Sequence, residues 1–244
     1  MDWYYIDSVV KDLDKSEDPE IIQELIQIEF FAFRIFLHRR DINELRLVKE
    51  LMTNPELLMD LMVMAYKSDA GDEKCVSELD DNKELMARCS LQILYNFPCC
   101  PAVDAHGNVN PDELRTYIAR LYELSVERHR SQVVDMMVGN LLGNLPRNGS
   151  YPQPVLGELV EELKNDSVDE HIRMRIFNSR GVTTRAFAEG GDQERALVAL
   201  FAGYRDKVNF KYPRLAKIFT SLMQQYERDA KHEDCVAQLE DLEY

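Results

Sequence analysis

Asp18-Pro19-Glu20-Ile21-Ile22-Gln23-Glu24-Leu25-Ile26-Gln27-Ile28-Glu29-Phe30-Phe31-Ala32-Phe33-Arg34-Ile35-Phe36-Leu37 opens with a helix start written in three residues. An Asp able to accept from free N–H groups precedes a proline at the first helical position, where no N–H is needed. An acid then meets the positive end of the helix dipole. From Ile26 to Leu37 the segment is apolar nearly all round and carries Phe30, Phe31, Phe33 and Phe36, so it is expected to lie centrally with neighbours covering several of its faces. Its interruptions, Gln23, Glu24, Gln27, Glu29 and Arg34, mark a buried helix and not a membrane span.

The same grammar recurs along the chain. Asn54-Pro55-Glu56 and Asn110-Pro111-Asp112-Glu113 repeat the cap and proline, and Asp41-Ile42-Asn43-Glu44 reads as a capping box that predicts a fourth helix start. Apolar residues follow at helical spacing: Leu57, Leu58, Leu61, Met62; Leu114, Tyr117, Ile118, Leu121; Leu215, Ile218, Phe219, Leu222, Tyr226. No stretch of six or more residues alternates strictly while being rich in Val, Ile and Thr, which leaves little to build a sheet from. The fold class is therefore all-α: an irregular helical array of solenoid-like helix pairs with about nine to eleven helices. Loops are expected at Lys67 to Asp80 and Phe97 to Asn110, and the Pro/Gly loop 146–154 divides an N-terminal helical subdomain, 1–145, from a C-terminal one, 155–244.

Composition narrows the classes of partner. The 44 Asp and Glu against 29 Lys and Arg give a formal charge of −15, a field that repels nucleic acid as a main partner. Five cysteines, Cys75, Cys89, Cys99, Cys100 and Cys235, are an odd number in a chain too large to need disulfides. Met1-Asp2-Trp3-Tyr4-Tyr5 has no basic region leading into an apolar one, and with reduced thiols this places the expected location in the cytoplasm, away from the membrane.

The motifs that usually carry chemistry fall short. Asp104-Ala105-His106-Gly107-Asn108-Val109-Asn110-Pro111-Asp112-Glu113 resembles the back of an EF-hand loop, but the first ligand position falls on Ala102 and the fifth on His106, so it reads as an Asx-type turn feeding a capped helix. Cys89, Cys99, Cys100 and His106 lack the paired spacing of a zinc site, and no metal or cofactor is expected. No histidine lies in a hydrolase motif, so no residue is assigned a catalytic role. Gly139-Asn140-Leu141-Leu142-Gly143-Asn144 suits close helix packing better than a phosphate cradle.

One segment departs from the acidic background. His171-Ile172-Arg173-Met174-Arg175-Ile176-Phe177-Asn178-Ser179-Arg180-Gly181-Val182-Thr183-Thr184-Arg185 is followed by Gly190-Gly191-Asp192-Gln193-Glu194-Arg195, with the second glycine turn opening a helix. Guanidiniums beside such turns can hold an anion or an acidic partner, which makes Arg173, Arg175, Arg180, Arg185, Arg195 and His171 the candidate binding residues. The competing reading is that these arginines pair with the chain's own carboxylates and order a long connection.

The run Phe177 to Arg185, with Gly190 to Arg195, Tyr212-Pro213-Arg214 and Tyr226-Glu227-Arg228-Asp229-Ala230-Lys231-His232-Glu233-Asp234, resembles the C-terminal helical region of large, mostly uncharacterised bacterial multidomain proteins. The Asn54-Pro55-Glu56 helix, the turn from Asp104 to Glu113 and the segment from Val155 to Leu163 are similar too, so the resemblance spans roughly residues 45 to 244. It implies a helical array that recognises a partner, in proteins of bacterial sensor and defence type where an N-terminal module acts. With Met1 and a short leader in front, the chain is expected to be a stand-alone relative or a separated tail. The functional expectation is a non-catalytic helical protein-interaction module with a protein partner; the alternative is a small-anion or nucleotide-binding enzyme or sensor built on the arginines around Gly181 and Gly190-Gly191.

Overall fold

The computed structural model describes residues 3–71, 81–104, 106–147, 151–181, 183–186 and 189–240. The expected helix at 18–40 forms as α2 (Pro19–Phe36), preceded by α1 (Trp3–Leu13) and followed by α3 (Arg46–Thr53), α4 (Pro55–Ala65), α5 (Asp81–Asn96) and α6 (Pro111–Glu127). The chain continues through α7 (Ser131–Gly143), α8 (Pro154–Leu163), α9 (Asp166–Asn178), α10 (Asp192–Val208) and α11 (Pro213–Glu240). The fold is all-α, with eleven α-helices and no strand among the described residues. None of those helices is long and apolar enough to cross a membrane.

The helix starts show why the sequence was readable. Asp18 accepts from the Glu20 N–H at 2.9 Å, Asn54 from Leu57 at 3.1 Å and Asn110 from Asp112 at 3.2 Å, each with proline next in the chain. The Asp41 start is corrected. Its carboxylate accepts from Asn43 at 3.0 Å but caps only a 3-10 turn over Ile42–Glu44, and α3 begins at Arg46 behind Leu45, which offers no side-chain cap. The cap comes instead from α2: buried Glu29 accepts the Leu47 N–H at 2.7 Å, and the Arg46 N–H also bonds to it. Burial pushes the Glu29 carboxyl above its ordinary range, and those two N–H groups pull partly back.

The helices gather into two compact units, Met1–Val103 with Asn110–Val134, and Asp104–Val109 with Asp135–Tyr244. The division runs inside α7, and loop 146–154 belongs wholly to the second unit. Tyr151 explains that loop's place: it is buried, its ring 5.0 Å from Tyr204 and 6.3 Å from Phe219, while Gln153 donates to the Pro146 carbonyl at 3.2 Å. In the first unit the core joins Leu25, Phe33 and Phe36 of α2 to Leu51, Leu58, Leu61, Ile93 and Leu121. In the second, α10 and α11 pack along each other, α8 and α9 pack on α11, and Phe201, Phe219 and Tyr226 stack between them.

Helix α2 meets its expectation in part, since three helices cover it. Leu25, Phe30, Phe33 and Phe36 are buried beneath α1, α3 and α5, which all pack on α2. Its opposite side is only partly covered. Ile28, Phe31 and Ile35 stand in solvent, 38%, 52% and 43% exposed.

Candidate functional site

The connection from α9 to α10 carries two of the six candidate residues, Arg180 and Arg185, and its local chemistry explains its course. Asn165 caps α9 by accepting from Ser167 and Val168; the helix ends at Asn178, and Gly181 takes a φ of +70°, a turn that glycine enters without steric cost. Gly190, at φ +62°, makes the second turn, and α10 begins immediately beyond Gly191. A Cβ at Gly191 would overlap the Ala230 carbonyl, so only glycine lets this turn lie against the α11 backbone. The described residues between the turns are tied down: Gln193 donates to the Thr184 carbonyl at 2.9 Å, and the Ala186 N–H donates to Glu189 at 2.7 Å.

The arginines turn toward the chain's own acids. Arg180 and Arg185 converge on one fully buried carboxylate, Glu194, at 2.6 and 2.5 Å. Arg185 also meets Glu233 of α11 at 3.1 Å, and the Arg180 guanidinium lies 5.8 Å from the centre of the Tyr226 ring. Arg195 holds Asp234 at 2.9 Å and Asp192 at 2.8 Å, while the Gly191 N–H donates to Asp234 at 2.9 Å. The Arg195 guanidinium, with that N–H, holds the Asp234 carboxyl below the usual range. Three of the candidates thus knit the α9–α10 connection onto α10 and α11.

The other three sit elsewhere on α9. Arg173 pairs with Glu170 one turn back at 2.5 Å, which lowers that carboxyl's pKa. Arg175 donates to Asn144 at 2.5 Å. His171 lies where α9 crosses α7: a Cβ at Gly139 would come within 2.5 Å of the His171 Cβ and 2.7 Å of the Val168 carbonyl, and one at Gly143 within 2.7 Å of the Arg175 Cβ. The two glycines of Gly139-Asn140-Leu141-Leu142-Gly143 therefore permit close approach of two helices.

The turn at Asp104 is satisfied from within. Its Oδ1 accepts from the His106 and Asn108 N–H groups, both at 2.8 Å, and its Oδ2 from the Asn108 side chain at 2.9 Å. These bonds, the Asn108 side chain's first, hold the Asp104 carboxyl below its ordinary range. Among the described residues no group of three or more His, Cys, Asp or Glu is placed to hold a metal ion. Cys99 donates to Asn43 at 2.9 Å, burial pushes the Cys100 thiol far up, and Cys75 lies outside the described residues.

Sequence reasoning missed the acids that receive the arginines. Glu194 was legible only as part of a helix start, and Glu233 and Asp234 lie on a distant helix. It also missed Arg147, which donates to the Ser179 hydroxyl at 2.8 Å and to the Ile176 carbonyl at 3.5 Å, closing the C-terminal end of α9 from outside. The chain matches no protein-family model, no curated protein and no solved structure.

Proposed function

We propose that this protein is a non-catalytic helical interaction module that binds another protein through apolar side chains held in solvent on its helices, as the scaffold or sensor part of a bacterial defence or regulatory assembly in the cytoplasm. The observation that carries this reading is the exposure of large apolar side chains on ordered elements. Besides the α2 row, Tyr95 on α5 is 80% exposed and Phe210, in the turn between α10 and α11, is 98% exposed. Burying an aromatic of this kind in a partner's pocket is the commonest way an interface gains most of its affinity. Lys207 and Lys211 lie near Phe210 in the sequence but are engaged elsewhere, Lys207 donating to the Tyr151 carbonyl at 3.3 Å and Lys211 lying 4.8 Å from the centre of the Tyr212 ring.

The ion pairs weigh against the anion-binding alternative. A phosphate approaching Arg180, Arg185 or Arg195 has to displace Glu194, Glu233, Asp192 or Asp234, carboxylates already within hydrogen-bond reach of those guanidiniums. Affinity capture from a bacterial lysate tests the reading, with wild type compared against Tyr95→Ser, Phe210→Ser and Arg173→Glu. A protein retained by wild type and Arg173→Glu but lost with one of the apolar variants supports it. A phosphorylated metabolite carried by all the apolar variants, without a protein, supports the alternative.

A further inference from the structure

Helix α2 carries a second, outward seam. Exposed Glu24, Ile28, Phe31 and Ile35 form an outward row on α2 that advances in steps of four, three and four residues, and exposed His38 follows in the turn beyond the helix. That is the spacing with which a helix presents one continuous row to another helix in a coiled coil. The helices packed on α2 leave this row open, and Phe31 is held in place by an edge-on contact with Phe30, ring centres 5.0 Å apart. Ile28, Phe31 and Ile35 form one exposed apolar strip on the helix.

Charge along the helix selects what fits there. Exposed Glu20 and Glu24 lie at the N-terminal end of α2, and exposed Arg34 lies in its last turn with exposed Arg39 in the turn that follows. A parallel copy would set acid against acid; an antiparallel copy sets each end against its opposite. With a two-fold axis at Phe31, that ring meets its own equivalent, Ile28 and Ile35 of the second copy lie within one residue's rise of level, and the acidic end at Glu24 lies against the second copy's C-terminal end, which carries Arg34. The contact is isologous and closed. The −15 charge of each chain opposes approach at long range, but at physiological salt charges are screened beyond about 8 Å, so the pattern in the contact decides the outcome.

We infer that the α2 strip is a homodimer seam, an antiparallel pair of α2 helices about a two-fold axis at Phe31. This rests on the reading that exposed apolar rows are docking surfaces and assigns this one to a second copy of the chain. Sedimentation velocity on the full chain at physiological salt, over a concentration range of about a hundredfold, should show a reversible monomer–dimer equilibrium. Phe31→Glu should weaken it by about 30-fold or more without altering the circular dichroism spectrum.

Cysteine pairing supplies the geometry even if Phe31→Glu does not fold. In a Cys235→Ser background, mild oxidation should link Phe31→Cys chains to one another, and should link Ile28→Cys chains to Ile35→Cys chains in a mixture but neither to itself. A wild type that stays monomeric throughout, a folded Phe31→Glu that associates as wild type does, or Ile28→Cys chains that link to each other would each overturn the inference. A monomer that still captures a partner protein in the lysate experiment removes the dimer alone, whereas a dimer that captures none removes the wider reading.

Discussion

Replacing Glu194 with alanine should loosen the second unit more than any other single surface-to-core change in the arginine segment. The side chain is fully buried, its carboxylate sits 2.6 Å from Arg180 and 2.5 Å from Arg185, and those two side chains are only 18% and 22% exposed. Removing one partner of a buried pair leaves uncompensated charge and typically costs 3–5 kcal/mol. Here part of the loss is recovered, because Arg185 keeps Glu233 and Arg180 keeps the Tyr226 ring and the Gln193 side-chain oxygen. The expected cost is therefore about 2–3 kcal/mol, and about half that for Glu194→Gln, which keeps an acceptor but loses the charge. Urea unfolding followed by circular dichroism reads this as a lowered midpoint for the transition of the second unit at unchanged slope. Limited proteolysis should cut the α9–α10 connection sooner in the variant than in wild type. A stability change below about 0.5 kcal/mol with unaltered cleavage would mean that the arginines are not held by Glu194, and the internal-pairing account of this segment would fail.

Glu29 gives a pH signature of known sign. Its carboxyl is raised in the folded state, so its contribution to stability is present below the unfolded value and is lost as pH rises through the folded one. Thermal melts should therefore show Glu29→Gln gaining on wild type between acid and neutral pH, while Glu29→Ala, which uncaps α3, costs about 1–2 kcal/mol at acid pH and less as pH rises to neutral. Gly139→Ala should destabilise by about 1–3 kcal/mol despite alanine's better helix propensity, because the new methyl meets the Val168 carbonyl; a stabilised variant in urea would show that α7 and α9 are not in close contact. Leu61→Ala and Phe36→Ala each remove a fully buried side chain and should each cost on the order of 3 kcal/mol, and unchanged melting of both would contradict the core of the first unit.

What the sequence revealed and what it concealed follow from the range of the interactions. The starts at Asp18, Asn54 and Asn110 are local: cap, proline and acid lie within three residues, and the same three appear in the structure as bonded groups. At Asp41 the local signal was genuine but weak, and the cap of α3 arrived from Glu29, eighteen positions before the Leu47 it binds, where no local pattern could show it. All-round apolarity in α2 was read as burial on several faces. The heptad steps of Ile28, Phe31 and Ile35 were present in the sequence, but only the covering of the opposite side by α1, α3 and α5 separates the inward face from the outward one. The arginine segment was legible as a cluster because it breaks an acidic background. Its carboxylate partners were not, since Glu233 and Asp234 reach it only once α10 and α11 have packed.

Binding through the exposed apolar rows and not through the arginines, as we propose, is testable in a single four-bait capture. Wild type, Phe31→Glu, Phe210→Ser and Arg173→Glu, each verified as folded, are used side by side, with bound proteins and small molecules quantified by mass spectrometry. The expected result is a defined protein other than the chain itself, whose recovery falls at least tenfold with one of the two apolar baits and is unchanged with Arg173→Glu. Equal recovery across wild type and both apolar baits, or a phosphate-bearing metabolite retained by every bait without a protein, would contradict it.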